Sequence, residues 1–354
     1  MEESTSSGIS RILVVRLSSI GDIILTTPLL RSLKETYPQA SVTFVVKKQY
    51  ASLLEGSPLV DELIAFDKNE GFRGWRLLKN RLKQKHFDLF LDIHGSLRSR
   101  FLRMGLGSRI TTTYPKYLFR RYMLVLFRIN LYKHLMPVYL RYFESVKKLG
   151  VRYDGKGTEI SVSRTDSEAV SERLQVLGRQ PGQRIVVICP GATYSNKQWK
   201  KEGFIETARS LAEAGVMVIL HGGKDDITLC GEIAEQAGNG SLSLAGQLSL
   251  PGSAALFRHS SLVIANDSGM LHLAQSQKTP VVGIYGPTSK ELGFYPLPIN
   301  SLVVETDLPC RPCTPKGLNY CPKKHFRCMN DISPDKVIDA ALFLLNPPPA
   351  DPAA

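Results

Sequence analysis

Four polar loops hold the side chains best placed to do chemistry. In Arg11 to Pro28, RILVVRLSSIGDIILTTP, the residues Ser18, Ser19 and Gly21 interrupt an apolar run, and Asp22 follows where the chain turns into a helix. A carboxylate just beyond the carboxyl end of a parallel strand lies where open α/β sheets put their ligands. This first loop therefore either cradles a phosphate or presents Asp22 to a reaction.

The other three loops are built to hold a polar ligand. In Pro190 to Trp199, PGATYSNKQW, small residues admit backbone amides, Thr193 offers a hydroxyl and Lys197 a point charge suited to phosphate. In His221 to Asp226, HGGKDD, two glycines permit a tight turn beside Lys224. In Asn266 to His272, NDSGMLH, a buried strand turns into a helix whose N-terminal amides, with Ser268 and Gly269, make an anion site, and His272 lies one turn into that helix on the same side.

These loops need strands behind them. Ile12 to Val15, Ser41 to Val46, Leu63 to Phe66 and Asp88 to Ile93 are apolar runs, with a helix over Trp75 to Lys85 between the last two. Pro28 either kinks the first helix or opens a new one with Thr27 as its cap. The rhythm lapses between Val151 and Pro181, where only Ser167 to Leu177 is helical. It restarts with strands Arg184 to Cys189, Val216 to His221, Ser261 to Asn266 and Pro280 to Tyr285, separated by helices Glu202 to Ala214, Ile227 to Ala237 and Met270 to Ser276. A last helix runs from Ser333-Pro334 to Leu345. Alternation of this kind predicts an α/β fold with two domains, 11–165 and 181–345, between tails 1–10 and 346–354 that should be disordered.

The chain has 354 residues, 43% of them hydrophobic, and a net charge of +13. Between Arg98 and Arg152 thirteen Lys or Arg face a single acid, Glu144. That block predicts an anionic partner; its aromatic stretch Leu118 to Leu149 reads equally as ordinary packing helices with charged edges or as helices on an anionic membrane surface, and nucleic acid ranks below lipid because no binding motif accompanies the charge. The N-terminus has no apolar core of a signal peptide and no stretch is long enough to span a bilayer. With Cys189 and Cys230 in contexts of reduced thiols, the expected compartment is the cytoplasm.

RLSSIGD, GATYSNKQW, NDSGMLHLA followed by TPVVGIYGPT, and the closing cysteine loop occur in an order that resembles glycosyltransferase family 9, the bacterial heptosyltransferases of lipopolysaccharide assembly. The resemblance runs from about Arg11 to Leu345. It implies a GT-B fold, two Rossmann-like doubly wound domains facing each other across a cleft. It also implies an inverting, metal-independent transfer of heptose from ADP-heptose to the lipid A–Kdo inner core at the cytoplasmic face of the inner membrane, with no cofactor. On the same basis Asp22 matches the general base. Thr193 and Lys197 match pyrophosphate contacts, and Asp267, Ser268, Gly269 and His272 match the nucleotide loop, where relatives commonly carry Thr in place of Ser268. Ser19, Gly21 and Arg98 fall on the acceptor side. Lys224 falls near a donor-contacting acid of some relatives, a departure that bears on donor preference.

Two competing classes follow from the same residues. A GT-B-shaped sugar-nucleotide epimerase would turn over without an acceptor, and a non-catalytic sugar-nucleotide or polyanion binder would not turn over at all. Cys310, Cys313, Cys321 and Cys328 include one pair at ligand spacing, but the second pair is wider than usual for structural zinc, so a reduced loop of partly buried thiols is the preferred reading over a zinc site.

Overall fold

After Arg11, every residue of the first strand is apolar, and a strand flanked by parallel neighbours and covered on both faces requires this. In the computed structural model, which describes residues 8–347, that strand is β1 (Arg11–Val15), with Ile12 to Val15 fully buried. It is joined by β2 (Ser41–Lys47), β3 (Glu62–Phe66), β4 (Leu89–Asp92) and β5 (Ile110–Thr113), all parallel, in the order β3-β2-β1-β4-β5. Leu13, Val15, Val45, Phe66, Leu82 and Phe90 belong to one core.

The second sheet contains β6 (Ile185–Cys189), β7 (Met217–Leu220), β8 (Ser241–Ser243), β9 (Leu262–Asn266), β10 (Val281–Tyr285) and β11 (Ser301–Glu305), parallel throughout, in the order β11-β10-β9-β6-β7-β8. Val186, Ile188, Val218, Leu220, Ile264 and Val282 lie in its core. Each sheet has the Rossmann arrangement, in which strand order reverses beside the first strand: between β1 and β4, and between β6 and β9. Loops leaving the carboxyl ends at those two points are where such sheets bind ligands. The fold is α/β and of GT-B type.

Several details differ from the sequence reading. Pro28 opens a new helix, Thr27–Thr36, whose cap is Thr26 rather than Thr27, and the preceding helix is confined to Ile20–Ile24. The compact units do not follow the expected boundaries 11–165 and 181–345. One unit runs to Tyr117 and resumes over Met136–Ser161, while Leu118–Leu135 belongs with the second unit, which continues from Val162. Arg128 shows why: its guanidinium donates to the carbonyls of Cys310 at 2.9 Å and Pro312 at 2.5 Å. The tail 1–10 is held at its end, because Ile9 is buried and the Ser10 amide and hydroxyl both donate to Asp88, at 2.8 and 2.9 Å. Asn346 likewise caps the last helix, Pro334–Leu345, through a 3.0 Å bond from its amide to Leu342. Residues 1–7 and 348–354, the remainder of both predicted tails, lie outside the described residues.

Candidate active site

The turn after β1 is built by a short helix start. Ser19 precedes the helix Ile20–Ile24, and its amide and hydroxyl donate to Asp22 Oδ2 at 3.1 and 2.9 Å. Gly21 is buried behind that turn, where a side chain would have to be housed. The other carboxylate oxygen, Oδ1, forms an ion pair with Arg16 Nη2, whose second nitrogen donates at 2.6 Å to the carbonyl of Ile93 just past β4. The Asp22 side chain is 18% exposed against 7% for Arg16, so the carboxylate is the member of the pair that reaches solvent.

Burial alone would push the Asp22 carboxyl up; Arg16 and the two Ser19 donors outweigh it and hold the group below the usual carboxylate range. Arg16 is shifted upward, since Asp22 more than offsets the burial that would lower it. Asp22 is therefore ionised at neutral pH. Each carboxylate oxygen has two lone pairs, so Oδ1, with one donor, can still accept a proton.

His94 and Tyr142 complete this cluster. The His94 amide donates to Val15 at 3.0 Å, which fixes its position beside the end of β1. Its ring is pushed down to about 3 by burial and by Arg16, and is neutral, with a buried Nδ1 that finds no partner among the described residues. Tyr142 is fully buried, with the Arg16 guanidinium 5.8 Å from its ring centroid. Sequence reasoning missed Arg16, His94 and Tyr142. An arginine ending an otherwise apolar strand was the available signal for the first.

In the second unit the loops after β6 and β9 meet. Asn266, fully buried at the end of β9, donates through Nδ2 to the Pro190 carbonyl at 2.7 Å and accepts the Trp199 amide at 3.2 Å. This ties down both ends of the Pro190 to Trp199 loop. Lys197 Nζ then lies 2.6 Å from Asp267 Oδ2, both side chains largely buried, and Thr288 donates to the same oxygen at 2.7 Å. An ammonium has three donors, so pairing with Asp267 leaves Lys197 others for a ligand.

The helix Gly269–Ser276 begins directly after Asp267. Ser268 is its N-cap, but the side chain makes no capping bond, and its Oγ is buried without a partner among the described residues. First-turn amides that no cap has claimed, beside an unspent hydroxyl, suit an anion. His272, 5% exposed, packs one turn further along.

Not every expected residue joins these clusters. Thr193 and Lys224 are exposed, and their side chains form no hydrogen bond or ion pair among the described residues. The polar feature of the Lys224 loop is instead Asp226, which accepts the Gly223 amide at 2.8 Å and occupies the space over Gly191 and Gly222, where a Cβ would approach it to 2.2 and 2.4 Å. Arg98 is exposed on the helix Leu97–Arg103. The basic block from Arg98 to Arg152 is not one face: its middle part belongs to the second unit, and Arg141 is buried with its Nε on the Met136 carbonyl at 2.8 Å. The four clustered cysteines are free thiols, with Cys310 Sγ 3.8 Å from His325 Nε2, and no group of three metal-ligating side chains gathers among the described residues.

Residues 75–324 match the model of glycosyltransferase family 9 (heptosyltransferase). The lipopolysaccharide heptosyltransferase 1 of Pseudomonas aeruginosa is 27% identical over 333 residues, covering 91% of each chain. A crystal structure of a family 9 glycosyl transferase from Veillonella parvula superposes with a TM-score of 0.81 at 26% identity, covering 95% of this chain and 97% of that one. The fold is also that of the E. coli ADP-heptose lps heptosyltransferase II, at a TM-score of 0.71 and 24% identity over 95% of this chain and 98% of that one.

Proposed function

Because the chain belongs to glycosyltransferase family 9, and is a glycosyltransferase, we propose that it transfers heptose from ADP-heptose, with inversion, to the inner core of lipopolysaccharide. The observation that carries this reading is the ionised Asp22, held by Arg16 and Ser19 at the switch point of the first sheet with one oxygen still able to accept. Support for heptose as the transferred sugar and for the lipopolysaccharide acceptor comes from relatives named as lipopolysaccharide heptosyltransferases.

The chemistry is a single displacement. The acceptor hydroxyl oxygen attacks the anomeric carbon, its proton passes to Asp22, and the bond from that carbon to the pyrophosphate oxygen breaks. The leaving ADP carries the negative charge away. Lys197 and the amides at the start of Gly269–Ser276 are the groups suited to stabilise it, with the Ser268 hydroxyl donating alongside. Asp267 orients Lys197 and is itself fixed by Thr288. In this scheme Gly269 lets the phosphate approach, His272 backs the loop, and Thr193 and Lys224 close on the donor from exposed positions. Ser19 and Gly21 shape the base loop, and Arg98 faces anionic groups of the acceptor. No cofactor beyond the donor is required, and the cysteine loop takes no part.

We place the reaction at the cytoplasmic surface of the inner membrane, with the protein bound peripherally. No helix among the described residues is long and apolar enough to cross a membrane. The segment Leu118–Leu135 exposes Phe119 (71%), Leu126 (66%) and Phe127 (64%) close to Arg120 and Arg121, a composition suited to an anionic interface. Incubation of the protein with ADP-heptose and a heptose-free core glycolipid should release ADP and add one heptose to the glycolipid by mass. ADP-heptose consumption without acceptor would instead point to an epimerase.

A further inference from the structure

A groove of about 470 Å³ lies in the first unit between the helices Gly71–Lys83 and Leu97–Arg103, lined by Gly71, Phe72, Trp75, Leu97, Arg98 and Phe101. Its size is within the usual range of about 300–1,000 Å³ for small-molecule sites. The walls are apolar: the Phe72 and Phe101 rings lie 5.8 Å apart, and Trp75 is backed by Phe66 at 4.1 Å. Phe72 and Leu97 stand 71% and 82% exposed, a cost the fold would avoid if nothing covered them.

The rim is cationic. Arg98, one of the lining residues, is exposed and its side chain forms no ion pair or hydrogen bond among the described residues, and Lys79 Nζ sits 4.5 Å over the Phe101 ring. Two cations beside an apolar trough complement a molecule with an aliphatic body and negative charge at one end.

The groove is also tied to the base. Ser96 caps the helix Leu97–Arg103, and Ser99 Oγ donates at 2.9 Å to Asp92, the last residue of β4 and the register partner of Val15. The next residue, Ile93, gives its carbonyl to Arg16, the ion-pair partner of Asp22. One strand end thus positions both the groove helix and the reacting carboxylate.

We propose that this groove binds an acyl chain of the glycolipid acceptor, with Arg98 and Lys79 on its anionic head. This rests on the acceptor class proposed above. The test compares transfer to the acylated acceptor and to the same acceptor stripped of its acyl chains, in wild type and in the double variant Phe72→Ser/Leu97→Ser. Both positions are exposed and outside the reacting cluster. For the acylated acceptor, KM should rise about tenfold while kcat holds, the scale expected from two lost apolar contacts. KM for the deacylated acceptor should stay as in wild type. An unchanged KM for the acylated acceptor, or an equal rise with both, overturns the groove while leaving the transferase reading intact. A wild type inactive on both overturns the acceptor class, and the groove with it.

A binding measurement separates the acceptor from bulk lipid. Trp75 and Trp199 are the only tryptophans, and Trp199 is 3% exposed in the other core. Brominated acyl chains on the acceptor should quench Trp75, and phosphatidylglycerol vesicles with the same bromination should not. Equal quenching by the vesicles would contradict an acceptor site.

Discussion

The Arg16 guanidinium joins the Asp22 carboxylate to the carbonyl of Ile93, linking the loop after β1 to the loop after β4 through one buried side chain. Replacing Asp22 by Asn leaves that guanidinium charged and without its counter-ion. Breaking a buried pair from one side costs about 3–5 kcal/mol, and the lower end is expected because Asp22 keeps 18% exposure. Denaturant unfolding should show this loss for Asp22→Asn and a smaller one for Arg16→Met/Asp22→Asn. Equal losses would mean that the unpaired guanidinium carries no penalty that its removal relieves.

Stability should fall on the acid side for two reasons with different windows. His94 is held down to about 3 and His221 to about 4, burial being the first cause in each, against an ordinary value of 6.5. Below 6.5 the unfolded chain binds protons that the folded one refuses, so stability drops progressively as pH falls toward those values. His94→Gln and His221→Gln should each flatten this slope in unfolding measured from pH 7.5 to 4.5. The depressed Asp22 acts lower: its contribution is complete above the unfolded value of 3.8 and is lost as pH falls through the folded one. In the pH range where the fold holds, kcat/KM should accordingly show no acid limb from Asp22. A limb between pH 5 and 7 would contradict its depressed pKa.

Lys197→Ala should weaken ADP binding about tenfold, equivalent to about 1.4 kcal/mol, through loss of its charge from the pyrophosphate. Calorimetric titration with ADP measures this directly. An unchanged Kd would confine Lys197 to its ion pair with Asp267.

Asn266→Ala should destabilise the second unit and loosen the donor loop together. It strands the buried Trp199 amide and Pro190 carbonyl, at about 1–3 kcal/mol for each unsatisfied group. Thermal unfolding and the KM for donor should both move. A shift in melting alone would show that the loop keeps its shape without this tie.

The central strands were legible because burial on both faces demands unbroken apolar runs, and the fold class followed from their alternation with helices. The edge strands β5, ITTT, and β8, SLS, were not: each is short and polar, and has only one neighbour to satisfy. The helix Leu250–Arg258 was hidden by Pro251 and Gly252, which read as breakers but occupy a first turn capped by Ser249. The two loops holding Lys197 and Asp267 were each visible as ligand loops, yet their ion pair depends on β6 lying beside β9, a pairing with no signature in local sequence. The same holds for Arg16, which finds Asp22 six residues on only because the turn doubles back. Leu118–Leu135 reads as a continuation of its neighbours, and its attachment to the second unit rests on contacts such as Arg128 with Cys310 that cross 182 residues of chain.

The most direct test of Asp22 as base is heptose transfer by Asp22→Asn, with ADP affinity measured on the same preparation under conditions where it remains folded. The expected result is loss of transfer with ADP binding retained, because the proposed nucleotide residues all lie in the second unit. Transfer near the wild-type rate, with ADP bound normally, would contradict the role of Asp22.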